Sequence, residues 1–171
     1  KKFPELFKKH YTKYADTQKN SLTALNTAFA QDGVFVYVPE NAKTEKPLQI
    51  IHLLLNNESL MVQHRKLFIV EENSSAEIII CDHTLSTDEY ITNSVTEMYA
   101  GKNASLNVTR VQNEHNGSRQ LTNSYVYQER DSSALTNYIT LHGGLVRNNM
   151  RVYLSDENCE NNTLGLFLGD K

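Results

Sequence analysis

The first part of the chain carries apolar side chains at the spacing of a helix. The positions that recur every three or four residues are Phe3, Leu6, Phe7, His10, Tyr11 and Tyr14. Pro4 suits a first helical turn, and a second short helix is expected after it, with Asn20 or Ser21 as N-cap and Gln31-Asp32-Gly33 as its stop. Residues 1–32 are therefore predicted to form a helical N-terminal segment.

From residue 33 onward the pattern changes to that of strands. The run Val34-Phe35-Val36-Tyr37-Val38 is β-branched and aromatic, and Pro39 ends it. Two later sets alternate with polar or small residues, namely Met150, Val152, Leu154 and Leu164, Leu166, Leu168. This alternation predicts strands that bury every second side chain. Residues 33–171 are therefore predicted to be all-β.

Two short patterns recur within the β region. Thr92-Asn93-Ser94-Val95 returns 30 residues later as Thr122-Asn123-Ser124-Tyr125, and Asn148-Asn149-Met150 has a similar character. A polar turn with small residues, first seen at 72–76, is repeated near 102–106, 131–135 and 157–159. A strand-turn-strand repeat without an intervening helix predicts a parallel β-helix, a solenoid whose coils bury their inward side chains against each other.

A β-sandwich is the alternative fold. It would tolerate the same strands, but it predicts more tight hairpin signals than the one Asn116-Gly117 turn in this sequence. The pattern therefore favours a mainly-β solenoid over residues 33–171.

Size and charge limit the classes of function. The chain has 171 residues, a formal net charge of −3 and no long basic run, which disfavours nucleic acid as a partner. Its longest aliphatic runs are far shorter than the ~20 residues of a membrane-spanning helix. A soluble protein is therefore expected. Cys81 and Cys159 are far apart in the sequence, so reduced thiols are expected.

The nearest approach to a metal site is Cys81-Asp82-His83. Cys81 and His83 would face the same way on a strand, but two ligands are fewer than the three or four that a metal requires. Cys81 also continues an Ile-rich run, which favours a buried packing role. Cys159 falls at the small-residue corner position assigned to Ala76 and Ala104, so a structural role is expected and no metal site is predicted.

Other candidate residues do not combine into a catalytic set. His142-Gly143-Gly144 is interpreted as a turn, because no Gly-x-Ser-x-Gly elbow supplies a nucleophile. His52 and the pair His64-Arg65 are interpreted as packed side chains. The acidic pairs Glu71-Glu72 and Asp88-Glu89 are adjacent, so their members would point to opposite faces of a strand. The chain is therefore not expected to be an enzyme.

One stretch and several later motifs resemble a known family. The stretch runs from Thr23-Ala24-Leu25-Asn26 through Ala28-Phe29 and Asp32-Gly33-Val34, followed by Lys46-Pro47-Leu48-Gln49-Ile50. Further matches are His64-Arg65 before a strand, the Ser75-Ala76 turn, Gly143-Gly144-Leu145-Val146-Arg147-Asn148 and Leu164-Gly165-Leu166-Phe167-Leu168. Over nearly all 171 residues the chain resembles the SufB/SufD family of iron–sulfur cluster assembly proteins. It is more similar to the SufD side, because the cysteine-rich signature of SufB is missing.

The resemblance implies a right-handed parallel β-helix after a helical segment. It implies a cytoplasmic, non-catalytic scaffold that pairs with a SufB-like subunit and binds a SufC-like ATPase. An iron–sulfur cluster would be present only transiently in the full complex. The family's interface cysteine and histidine, and the helices that bind the ATPase, would lie beyond Lys171. On this interpretation the chain is a fragment that binds neither cofactor nor ATPase by itself, and its cofactor-binding residues stay unknown.

Two further expectations concern partners. Exposed apolar residues in the last coil, Leu164 to Leu168, predict self-association through that end. The functional alternative to the scaffold is a β-helical domain that acts on polysaccharides or serves adhesion, which would favour disulfides and an acidic cluster.

Overall fold

The computed structural model describes residues 3–85 and 88–169, which form two helices and ten strands. The helices are α1 (Pro4–His10) and α2 (Ser21–Phe29). The strands are β1 (Asp32–Val38), β2 (Leu48–Leu54), β3 (Leu60–Val70), β4 (Ser75–Thr84), β5 (Tyr90–Ala100), β6 (Ser105–Asn113), β7 (Ser118–Gln128), β8 (Ser133–His142), β9 (Leu145–Leu154) and β10 (Glu160–Phe167). Neither described helix is long and apolar enough to cross a membrane.

The strands form two parallel five-stranded sheets. The front sheet has the order β1-β3-β5-β7-β9 and the back sheet has the order β10-β8-β6-β4-β2. Each coil thus contributes one strand to each sheet, and every ladder between named strands is parallel. The predicted parallel β-helix is confirmed, and the sandwich alternative is wrong. The Asn116-Gly117 turn joins β6 of the back sheet to β7 of the front sheet, so it does not close a hairpin.

The strand register corrects the spacing predicted from the Thr-Asn-Ser pattern. Ser94 pairs with Thr122, so the structural repeat between β5 and β7 is two residues shorter than the sequence similarity suggests. An offset of two leaves each side chain on the correct face of the sheet, which explains why the similarity was still informative. The next repeat is as expected, because Thr122 pairs with Asn148 and Asn123 with Asn149.

A column of left-handed residues forms the corner between the front and back strands. Asn41, Asn73, Asn103, Asp131 and Asn158 have φ between 54° and 59°. Asparagine and aspartate tolerate this conformation better than other non-glycine residues. The Asn103 amide donates to Asn73 Oδ1 at 2.8 Å, and the Asn158 amide donates to Asp131 Oδ1 at 2.9 Å, so the column is bonded along the solenoid axis.

The residue after each corner is small, and Cys159 belongs to that column. Ser133 N–H bonds to Ala104 O, and Glu160 N–H bonds to Ser132 O, which places Ser132 and Cys159 on successive coils after Ala104. The expected match of Cys159 with Ala104 is therefore correct. The match with Ala76 is wrong, because Ala76 lies in β4 and pairs with Leu106.

The N-terminal segment covers the outer face of the front sheet. Asn20 caps α2 by accepting from Thr23 N–H at 3.1 Å. The first helix ends at His10, before the predicted Tyr11 and Tyr14, because Thr12 has a φ of 61° and the chain there bonds to Glu97. The second helix ends at Phe29, and the expected stop residues Asp32 and Gly33 already belong to β1.

The inside of the solenoid is divided into an apolar and a polar half. The apolar half lies next to the corner column and includes Phe68, Val70, Ile78, Met98, Leu106 and Val126. Met150 and Val152 pack against it, as their alternation predicted. The inward positions of the other half carry charged and amide side chains, and these form the candidate site.

The predicted alternation is wrong at other positions of the last two strands. Leu154, of the same set as Met150 and Val152, is 54% exposed, so its predicted burial is wrong. The prediction is also wrong for the last strand: Gly165 pairs with the inward Tyr138, so Leu164 and Leu166 point outward. Leu164, Leu166 and Leu168 are 52% to 59% exposed.

Candidate functional site

A buried carboxylate, Asp82, is the centre of the polar half of the interior. It lies on β4 at the next inward position after Ile78 and Ile80. Asp82 Oδ1 lies 2.8 Å from His52 Nδ1, and Asp82 Oδ2 accepts from Arg110 Nε at 2.6 Å. Three adjacent strands of the back sheet, β2, β4 and β6, therefore supply one hydrogen-bonded charged group.

The environment keeps Asp82 ionised. Burial raises the pKa of its carboxyl, but the Arg110 guanidinium, the His52 hydrogen bond and the Lys66 amine together hold that pKa well below its usual range. The Asp82–Arg110 pair is thus a buried ion pair, with both side chains about 5% exposed.

Lys66 reaches the same cluster from the front sheet. Its ammonium donates to Ser94 Oγ at 2.9 Å, and the residue is 1% exposed. Burial, followed by repulsion from Arg110, lowers the pKa of Lys66 to about 7. Near neutral pH this buried amine exists in both protonation states.

Two histidine rings are in contact near Asp82. The rings of His52 and His64 have centroids 4.7 Å apart. Burial and the nearby Lys66 lower the pKa of His64 to about 3, and burial lowers the pKa of His52 despite its bond to Asp82. Both imidazoles are therefore neutral at pH 7.

A carboxyl–phenol pair lies further along the same half. Tyr90 O–H donates to Glu114 Oε2 in a buried hydrogen bond. Burial raises the pKa of Glu114 to about 7, and burial together with the bond to Glu114 raises the pKa of Tyr90 above its usual range. Glu114, like Lys66, therefore titrates near neutral pH.

These groups border a cavity of about 300 Å³, whose walls include His52, His64, Asp82, Arg110 and Glu114. The cluster can hold charge and exchange protons near pH 7. Lys66 beside Ser94 has the composition of a base and a nucleophile, but Ser94 is fully buried and neither residue lines the cavity. The arrangement is that of a polar interior whose Lys66–Ser94 pair is buried away from the cavity.

The Cys81-Asp82-His83 motif is divided between two faces of β4. Asp82 points inward, while Cys81 and His83 are half-exposed on the outer face, as their spacing predicted. The expectation that Cys81 lies in the buried run is wrong, because the strand buries Ile78, Ile80 and Asp82 instead. Among residues 3–85 and 88–169, no group of three or more His, Cys, Asp or Glu side chains is arranged to hold a metal ion.

The remaining sequence candidates lie outside the cluster. His142 ends β8 and Gly143-Gly144 leads into β9, so this motif is the turn that was predicted. A Cβ on Gly144 would lie 2.0 Å from the Asn116 carbonyl oxygen, which explains the glycine. Glu71 and Glu72 lie at a corner, and Glu89 pairs with Arg119 at 3.1 Å on the surface.

From the sequence, His52 and His64 are identified only as packed side chains, and Asp82 only within a rejected metal motif. Lys66, Arg110 and Glu114 are not singled out. The available signal was the period of two: His64 and Lys66 occupy the same face of the strand as Phe68 and Val70, just as Asp82 occupies the same face as Ile78 and Ile80. A charge at an inward strand position indicates an internal polar cluster. The identity of its partners depends on the strand register, which the repeats gave only approximately.

The fold and its interior define a parallel β-solenoid with an N-terminal helical segment packed on one sheet. Residues 53–171 match the family model "SUF system FeS cluster assembly, SufBD core domain", and residues 1–50 match "SufBD protein N-terminal region". The chain belongs to the SufBD family of iron–sulfur cluster assembly proteins.

Curated relatives agree with this assignment. An iron–sulfur cluster assembly SufBD family protein of Staphylococcus aureus (strain MRSA252) is 32% identical over 127 residues, which are 72% of this chain and 27% of the relative. A protein of the same description from Staphylococcus haemolyticus (strain JCSC1435) is 32% identical over 110 residues, 64% of this chain and 23% of the relative. The matched region thus spans about a quarter of each relative.

Proposed function

We propose that this protein is a non-catalytic scaffold subunit of the SUF iron–sulfur cluster assembly machinery, equivalent to SufD. In this role it pairs with a SufB-like subunit and acts together with a SufC-like ATPase in the reducing cytoplasm. The observation that carries the proposal is the pair of family matches, which together extend from residue 1 to residue 171 with a gap of two residues.

The environments of the two cysteines support a scaffold role. Cys81 is half-exposed on the outer face of the back sheet, and Cys159 lies at a corner with its thiol 3.2 Å from the carbonyl oxygens of Glu129 and Asp156. Both are free thiols, as in a protein of a reducing compartment. They lie on separate parts of the solenoid, and among the described residues neither belongs to a group of three or more His, Cys, Asp or Glu side chains that could hold a metal ion.

The polar interior supports the choice of SufD over an enzyme of the β-helix type. Enzymes that cleave polysaccharides gather carboxylates at an open face. Here Asp82 is paired with Arg110 inside the solenoid and Glu114 is bonded to Tyr90, so both carboxyls are already partnered.

Co-purification tests the proposal. The polypeptide that carries this sequence is tagged in its own cell and purified under reducing, oxygen-free conditions, with the tag alone as control. We expect the SufB-like and SufC-like subunits to co-elute. Elution of a folded protein without either subunit would contradict the proposal, and retention on a polysaccharide panel would favour the β-helical polysaccharide-binding or adhesion alternative.

A further inference from the structure

The Asn116-Gly117 turn between β6 and β7 brings together the groups of a covalent reaction within the chain. Ser118 N–H donates to His115 O at 3.0 Å, which closes a β-turn. The exposed Asn116 and the half-exposed Gly117 are its two central residues. An asparagine side chain can cyclise onto the next backbone nitrogen, and glycine at that position has no Cβ to obstruct the approach.

The imidazole of His115 lies on the backbone nitrogen that such a cyclisation uses. Gly117 N–H donates to His115 Nδ1 at 2.9 Å. Because a backbone N–H can only donate, Nδ1 is the unprotonated nitrogen of the ring, with its lone pair directed at this hydrogen. The distance is within the reach that a general base requires of the proton it removes.

The neighbours of His115 hold the imidazole in this position. Its ring packs against Tyr90, with the centroids 5.4 Å apart and the planes at 69°. A Cβ on Gly117 would lie 2.8 Å from His115 Cε1 and 3.0 Å from Nδ1, so a larger residue would displace the ring. Glycine at position 117 therefore admits both the base and the attacking geometry.

Two other exposed asparagines that precede small residues are held differently. Asn103 Nδ2 donates to Asn73 Oδ1 at 2.8 Å, and Asn73 Nδ2 donates to Asn41 Oδ1 at 3.3 Å. A carboxamide bonded to the neighbouring coil has to break that bond before it can cyclise. The corner column thus provides an internal comparison for Asn116.

We propose that Asn116 is a site of intramolecular deamidation assisted by His115. Gly117 N attacks Asn116 Cγ and forms a new C–N bond, while His115 Nδ1 takes the proton from that nitrogen. The bond from Cγ to the amide nitrogen of Asn116 then breaks, and this nitrogen leaves as ammonia with the proton that the imidazole returns. Water from the solvent opens the cyclic imide at either carbonyl and gives aspartate or isoaspartate. This inference does not depend on the proposed scaffold role.

The products alter the connection between β6 and β7. Both carry a new negative charge near Glu89, whose Cγ would lie 3.5 Å from a Cβ on Gly117. Isoaspartate also inserts the Cβ of residue 116 into the main chain. The Asn116 carbonyl oxygen is already in close contact with Gly144, where a Cβ would lie 2.0 Å away, so a longer backbone has no room at this contact. The isoaspartyl form is therefore expected to be the less stable one.

Peptide mass spectrometry of the folded chain during incubation at neutral pH tests the proposal, since a carboxyl in place of the amide raises the mass of the peptide with residue 116. His115→Phe removes the base and keeps an aromatic ring beside Tyr90. His83→Phe makes the same change on the outer face of β4 and is the matched control.

We expect the deamidation rate at Asn116 to fall about 10-fold or more in H115F and to change less than about 2-fold in H83F. The peptide with Asn73 should stay unchanged in all three proteins, which shows that the chain remains folded. An equal or faster rate at Asn116 in H115F, or an intact Asn116 in the parent, would overturn the proposal.

Imidazole rescue separates a chemical role of His115 from a structural one. His115→Ala leaves space beside the Gly117 N–H that imidazole from the buffer can enter. We expect added imidazole to accelerate deamidation several-fold in H115A and much less in the parent, with circular dichroism unchanged in both. An equal response of the two proteins would assign the effect of residue 115 to turn geometry and overturn the proposal.

Discussion

At the scale of single residues, the buried interior charges strongly affect stability when one partner is removed. Asp82 and Arg110 are both buried and joined at 2.6 Å, so removing one partner leaves the other desolvated and unpaired. When an exposed pair such as Arg119–Glu89 is broken, water replaces the missing partner and little folding free energy is lost. Two ion pairs of similar composition therefore have very different consequences when broken.

We expect Asp82→Asn to lower the free energy of unfolding by about 3 to 5 kcal/mol, because Arg110 keeps its charge inside the solenoid. The matched variant Glu89→Gln should cost less than about 1 kcal/mol. Urea unfolding followed by circular dichroism measures both. Equal losses in the two variants would show that Asp82 does not compensate Arg110.

Lys66 makes stability depend on pH. Its folded pKa of about 7 lies below its ordinary value of 10.5, so between these values the unfolded state binds more protons and the free energy of unfolding rises with pH. The rise should be smaller in Lys66→Met, while the exposed control Lys8→Met should keep the slope of the parent. Urea midpoints between pH 7 and 10 provide the measurement, and an unchanged slope in K66M would refute this account of Lys66.

At the scale of elements, one side chain attaches the N-terminal segment to the front sheet. Glu97 is fully buried; it accepts from the backbone N–H groups of Thr12, Tyr14 and Ala15 at 3.0 Å and from Arg65 Nη2 at 2.5 Å. The bonds from Thr12, Tyr14 and Ala15 provide acceptors for backbone N–H groups between α1 and α2, where the chain is no longer helical.

Glu97→Ala should therefore release the segment before the solenoid unfolds. Hydrogen exchange of residues 3–30 is expected to accelerate by at least 10-fold, with little change in β7 and β8. Glu77→Ala, an exposed site on the back sheet, is the control. Uniform acceleration along the whole chain would contradict a local role for Glu97.

The corner column provides a test of backbone conformation. Asn103 has a φ of 54° and bonds to Asn73, so Asn103→Ala should cost about 1 to 2 kcal/mol from the left-handed backbone and the lost hydrogen bond. Asn103→Gly should cost less, since glycine adopts this conformation freely. Thermal unfolding of the two variants compares them, and a larger loss in N103G would contradict the importance of the left-handed backbone.

At the scale of the whole molecule, the sequence predicted the solenoid because its strands alternate and its corners recur. Both signals are local. They remain informative when the sequence repeat and the strand register differ by two residues, as they do at Ser94, which pairs with Thr122. The interior partners of Lys66 and the outward direction of Leu166 were not predictable in this way. They depend on the strand register between neighbouring coils. The connections between strands differ in length, and this shifts the register without changing the local sequence pattern.

The central proposal concerns the whole molecule: this member of the SufBD family acts as a scaffold and not through its own thiols. The most direct measurement is cluster content after the SufB-like and SufC-like subunits are incubated anaerobically with ferrous iron, sulfide and ATP, together with either this protein or its C81S/C159S variant. Iron and acid-labile sulfide should be the same with both proteins and lower when the protein is omitted. Loss of the cluster with the double variant alone would contradict the scaffold account and assign the chemistry to this chain.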